Sequence, residues 1–107
     1  MNPWKLLDSE EIATPSGAAG MSVMALMQRG KEFVIRVDGR ELMSNTSHAS
    51  EDALAELACQ RLEECPAARV LIGGLGMGFT LAAALRGLGE GGHVVVAELV
   101  PAVVRWN

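Results

Sequence analysis

The sequence predicts a mixed α/β protein in which a small antiparallel β meander precedes one β-α-β unit with parallel strands. Two stretches carry that expectation. Residues 21–43 read as short strand-like runs punctuated by Gly30 and by the dipeptide Asp38-Gly39, a two-residue hairpin signal. Residues 69–98 read as an apolar run, a glycine cluster, an alanine-rich segment and a second apolar run. Strands apolar on both faces belong in parallel sheets covered by helices. At 107 residues, half of them apolar and about a fifth charged, the chain has room for one compact domain with a core.

Taken in order, residues 1–20 mix charges with Pro15, Ser16, Gly17 and Gly20 without a sustained period. They read as an irregular arm anchored by Trp4 and Leu6. Residues 21–49 form the hairpin region, with strands expected over 21–28, 33–37 and 40–43 and a polar connection after them. Residues 50–107 begin the α/β unit. Ser50 is a candidate N-cap for a helix over 51–64, with Glu51 and Asp52 at the positive end of its dipole. Ala53, Leu54, Leu57, Ala58 and Leu62 share one face of that helix and are expected to face the core, while Glu56, Gln60 and Glu63 point outward. Pro66 stops it. A strand over 70–72, a helix over 79–86, a glycine-containing turn over 87–92 and a strand over 93–98 follow, and Pro101 opens a further helix. Two parallel strands cannot bury both faces of a sheet, and doubly wound folds have five or more. The pattern is therefore expected to be the start of a larger, truncated fold, and a homo-oligomer is the expected cover for its apolar edges.

Composition narrows the function classes. Nine basic against thirteen acidic residues give a net charge of −4 with no run of Lys and Arg, so nucleic acid is not an expected partner. No apolar stretch approaches the length of a bilayer span, and the first eleven residues carry four charges, so neither membrane nor leader is expected and the reading is cytoplasmic. Cys59 and Cys65, six residues apart, match neither a redox pair nor a zinc knuckle and read as plain thiols. His48 and His93 have no ligand-spaced companions, and no metal is expected.

The segment that carries chemistry is the loop at 73–78, Gly-Gly-Leu-Gly-Met-Gly, directly after a strand and before a helix. Glycines there let the chain turn sharply and let a ligand approach the backbone. Three readings stay open. A phosphate-cradling loop has Gly73, Gly78 and Thr80 in register but Phe79 where its lysine belongs. The dinucleotide fingerprint fits Gly74 and Gly76 but has Phe79 where a third glycine permits close helix packing. The pattern G-x-G-x-G fits Gly74, Gly76 and Gly78 without exception, as in loops that cradle the methionyl and ribose parts of S-adenosylmethionine. Glu98, twenty residues after Gly78 at a strand end, is positioned to accept hydrogen bonds from both hydroxyls of a ribose; its plainer reading is a solvated acid.

Residues 68–81 and 94–104, with Val37-Asp38-Gly39 and the His48 segment upstream, resemble the spermidine synthase-like aminopropyltransferases of the class I methyltransferase superfamily over about residues 21–105. The resemblance implies a Rossmann-like nucleoside-binding domain from residue 50 onward. It implies a transferase of aminopropyl or methyl groups whose substrate donor is S-adenosylmethionine or its decarboxylated form, with a polyamine among the candidate acceptors and the acceptor itself left open. By it, Gly74, Gly76 and Gly78 border the nucleoside, Glu98 holds the ribose, and His48 lines the mouth of the site. Met77 stands where the synthases carry an aspartate that meets the donor's amino group. The family's catalytic and amine-binding aspartates lie in later sequence that this chain lacks. No catalytic residue is assigned, and the chain is expected to hold a binding half-site without activity of its own.

Overall fold

A computed structural model of the chain describes residues 3–107, which divide into two compact units near Ser47 and His48. The first unit is a four-stranded antiparallel sheet in the order β1-β2-β3-β4, built from β1 (Lys5–Ala13), β2 (Met21–Arg29), β3 (Glu32–Val37) and β4 (Arg40–Ser44). The three strands expected over 21–43 are present. The arm is a correction: within residues 1–20, Lys5–Ala13 is a full strand paired with β2 from Lys5 opposite Gln28 to Ala13 opposite Met21. It has no alternating apolar face because it is an edge strand, held by backbone hydrogen bonds, with Leu6 and Leu7 exposed. Trp4, the expected anchor, lies under the guanidinium of Arg29 at 4.3 Å and that of Arg36 at 5.1 Å, a cation–π pair of contacts.

Between β3 and β4, Asp38 and Gly39 both take positive φ, 50° and 80°, which suits the twist of a tight hairpin. The Asp38 carboxylate accepts a hydrogen bond from the Val23 backbone N–H at 2.9 Å. That bond, aided by the Ser22 hydroxyl, lowers its pKa. Val34, Ile35 and Met24 are the buried apolar residues of this sheet.

The second unit comprises α1 (Ala49–Gln60), β5 (Arg69–Gly73), α2 (Phe79–Gly87), β6 (His93–Ala97) and α3 (Pro101–Arg105). β5 and β6 pair in parallel, Val70 opposite Val94 and Ile72 opposite Val96, so the β-α-β expectation holds. These four residues pack against Ala55, Cys59, Ala83 and Ala84, whereas Leu71 and Val95, on the other face, are 73% and 62% exposed.

The buried stripe of α1 differs from the expected one. Ala55 and Cys59 are buried, while Leu54 and Leu57 are 65% and 64% exposed. The reason is helix–helix distance: α1 meets α2 through small residues, and a Cβ on Gly87 would lie 2.8 Å from the Cys59 Cβ. Leucines on that face would hold the helices apart. The N-cap is also His48 rather than Ser50.

Gly87→Ala is therefore expected to destabilise the second unit by about 1–3 kcal/mol through overpacking. Gly89→Ala, whose Cβ would meet nothing within 4 Å, serves as its control. Thermal unfolding followed by circular dichroism checks the pair.

Candidate functional site

β5 runs straight into the glycine loop, and the backbone there explains the glycine spacing. Gly74, Gly76 and Gly78 have φ of 94°, 54° and 81°, each in the region a side chain disfavours. Gly74 N–H donates to the Ala97 carbonyl at 2.8 Å, extending the β5–β6 ladder by one bond. Gly78 N–H donates to the Leu75 carbonyl at 2.9 Å, closing the turn, and the Gly78 carbonyl accepts from Ala82 N–H, the first bond of α2. A Cβ on Gly73 or Gly74 would meet nothing within 4 Å, so that side of the loop is open. Met77 is half-buried within the loop.

Glu98, just past the end of β6, closes the loop. Its Oε1 accepts from Leu75 N–H at 2.7 Å and its Oε2 from Val100 N–H at 3.0 Å. Burial, the largest single effect, disfavours the charged carboxylate, but the N–H groups of Val100, Leu75, Gly76 and Leu99 together outweigh it and lower the pKa. The acid expected at a ribose is thus also a brace between the loop and the strand that follows.

At the start of α2, His48 stacks on Phe79, the first residue of that helix, with ring centroids 3.8 Å apart and planes 6° from parallel. Its Nδ1 lies 2.9 Å from Asp52 Oδ2, across one turn of α1. Phe79, which spoils the dinucleotide fingerprint, is thereby accommodated outside the close helix contact. Thr80, one residue on, donates its hydroxyl to the Glu51 carbonyl at 3.3 Å. The first turns of α1 and α2 are thus joined by a hydrogen bond as well as a ring stack.

Sequence reasoning singled out the three glycines, Met77, Glu98 and His48, and all six belong to the second unit. Gly74, Gly76, Gly78, Met77 and Glu98 form one loop and its brace, and His48 reaches that loop through Phe79. Two further residues escaped it. Asp52 was read only as a helix-dipole acid, although its spacing of four from His48 is the signal of a pair on one helix face. Asn107 carries no such signal: its Nδ2 donates to the Gly76 carbonyl at 2.8 Å and to the Val103 carbonyl at 2.7 Å, tying the loop to α3.

Among the described residues, no group of three or more His, Cys, Asp or Glu side chains could hold a metal ion, and no helix is long and apolar enough to cross a membrane. Cys59 is a buried free thiol and Cys65 an exposed one. Comparison of the chain with protein-family models, curated proteins and solved structures found no match.

The lowered Glu98 pKa sets a pH dependence. A carboxylate held below its unfolded pKa stabilises the folded state above that value and loses the contribution as pH falls through the folded one. Unfolding free energy should therefore drop as pH is lowered from about 4.3, and Glu98→Gln should flatten that limb relative to wild type. Urea titrations at a series of pH values check the difference.

Proposed function

We propose that the second unit binds the adenosyl part of a sulfonium nucleoside, S-adenosylmethionine or its decarboxylated form, as the donor half-site of a spermidine synthase-like transferase. The observation that carries this reading is the braced loop: three alternating glycines at positive φ at the end of a parallel strand, closed by a carboxylate from the next strand's end. Such a loop offers open backbone to a nucleoside beside a carboxylate that is itself bonded to the loop. The β-α-β order agrees with the first unit of a Rossmann-like methyltransferase domain.

Phosphate-led readings have less support. Phe79 occupies the position of the phosphate-binding lysine, and its ring is stacked on His48. It also fills the third glycine position of the dinucleotide fingerprint.

In the proposed reaction, the sulfonium makes its alkyl carbon electrophilic and an amine attacks it in line. A polyamine is among the candidate acceptors that the resemblance implies, in a cytoplasmic setting. Met77 in the synthases' aspartate position leaves the donor's amino group without a carboxylate from the loop.

Isothermal titration with S-adenosylmethionine, methylthioadenosine and NAD tests the reading. Binding of the two adenosyl sulfur compounds, with NAD silent, is expected. Glu98→Ala should weaken that binding by about 1.5–3 kcal/mol, the scale of a lost hydrogen bond to a charged group. Silence from both adenosyl compounds in a folded protein would overturn it.

A second reading, association of the chain with itself, is favoured by the apolar side chains the second unit exposes, Leu71, Val95, Leu54 and Leu57 foremost. Apolar surface of this kind is costly to leave in water. Light scattering at micromolar concentration should give a dimer or larger species; a monomer would contradict self-association and leave the nucleoside reading standing.

A further inference from the structure

We propose that two copies of the chain join along the outer edge of β5, strand beside antiparallel strand, so that their two-stranded sheets merge into one sheet of four. This rests on the self-association reading above, is independent of the nucleoside reading, and names the surface through which the copies meet.

The edge follows from the ladder. The Ala68 carbonyl accepts from His93 N–H at 2.9 Å and Gly74 N–H donates to the Ala97 carbonyl at 2.8 Å, so the even-numbered residues of this stretch turn their backbone groups toward β6. Successive residues of a strand direct N–H and C=O to opposite sides. Arg69, Leu71 and Gly73 therefore direct theirs away from β6, where no described strand pairs with them. Such an edge is a template for another strand. β5 has none of the usual guards: no proline, no bulge in its register with β6, and one charge, Arg69, at its first position.

There is room beside that edge. A groove of about 230 Å³ lies between β5 and α1, bounded by residues 70–74 of the strand side and by Leu54 and Ala58 of the helix. Leu54 is exposed there, and on the opposite face of the sheet Leu71 and its neighbour on β6, Val95, are exposed as well. A strand added at this edge would cover apolar surface on both faces.

The occupant is a second copy because β5 is complementary to itself. An antiparallel pair centred on Leu71 sets Leu71 opposite Leu71 of the second copy and Arg69 opposite Gly73 at both ends, each pair exchanging two backbone bonds. A shift along the strand in either direction leaves an edge residue unpaired. In the centred register the two leucines meet at the symmetry axis and, flanked by Val95 of each copy, close an apolar row across the sheet. The single charge faces a glycine, so the arginine has space and no like charge opposes it. On the other face the two grooves come together and Leu54 of each copy is covered. The same patch serves both copies, so the association closes as a dimer.

Gly73 gives the test its specificity. A Cβ there meets nothing within 4 Å and its φ is not positive, so Gly73→Lys suits a single copy. In the dimer it sets a lysine opposite Arg69 of the second copy at both ends. Sedimentation equilibrium should show a dimer for wild type at micromolar concentration and a dissociation constant raised about tenfold by Gly73→Lys, the sum of two opposed like-charge pairs. Adding Arg69→Glu to Gly73→Lys makes those pairs attractive and should restore wild-type affinity. Gly89→Lys, whose Cβ also meets nothing within 4 Å, should leave it unchanged. Leu71→Cys in a Cys65→Ser background should form a disulfide between copies on mild oxidation, because paired strands bring equivalent positions at the axis to about 5.5 Å.

A dimer that Gly73→Lys leaves as tight as wild type, or that Arg69→Glu fails to restore, overturns the edge pairing and spares self-association. So does a Leu71→Cys protein that dimerises without the disulfide, a result that decides the matter if Gly73→Lys does not fold. A monomeric wild type overturns both, and none of these outcomes bears on nucleoside binding.

Discussion

The second unit depends on one carboxylate. Glu98 sits where β6 ends, and its two oxygens hold the backbone of Leu75 in the glycine loop and of Val100 before α3. Without it, three alternating left-handed glycines would have little to oppose their conformational freedom, because glycine loses more entropy on ordering than any other residue. A short parallel pair of strands offers few ladder bonds, and the Gly74 to Ala97 bond and the carboxylate lock its two strand ends together. The acid is therefore structural whether or not a ribose meets it, and its low pKa follows from the loop amides alone.

How much of this the sequence made legible depends on whether a feature is local. The glycine loop was readable because positive φ at alternate positions leaves glycine as the one residue without strain, a constraint that needs no partner. The Asp38-Gly39 turn was readable for the same reason. The parallel strands were readable from their length and uninterrupted apolar character. In contrast, β1 was invisible because an edge strand with one neighbour needs backbone pairing and little burial, so charges at Lys5, Asp8, Glu10 and Glu11 do not oppose it.

The face of α1 was misjudged for a different reason. Hydrophobicity ranks Leu54 and Leu57 above Ala55 and Cys59, and periodicity alone turns the leucines inward. Burial of α1 is decided instead by how near α2 comes, and Gly87 against Cys59 permits an approach that leucine does not. The signal was present in both helices as small residues, Ala55 and Cys59 in one and Ala83, Ala84 and Gly87 in the other, but it is a property of the pair. The pairing of His48 with Asp52 hid similarly behind a simpler explanation, since an acid in a first helical turn is already accounted for by the dipole.

That double use of residues unites the site. Glu98 braces the loop and holds the turn before α3, and Phe79 breaks a nucleotide fingerprint while giving His48 a surface to stack on. Asp52 meets a helix dipole while its carboxylate lies 2.9 Å from His48 Nδ1. Each structural role accounts for its residue's presence, so no one of them argues for function. They meet in one place: a loop open on one side, the carboxylate that braces it and an imidazole stacked on the first residue of the next helix all belong to the strand ends and helix starts of one small unit. Glu98 shows why such positions stay polar: the desolvation its carboxylate costs is outweighed by the loop N–H groups it accepts from, and an apolar side chain there would leave those groups unpaired.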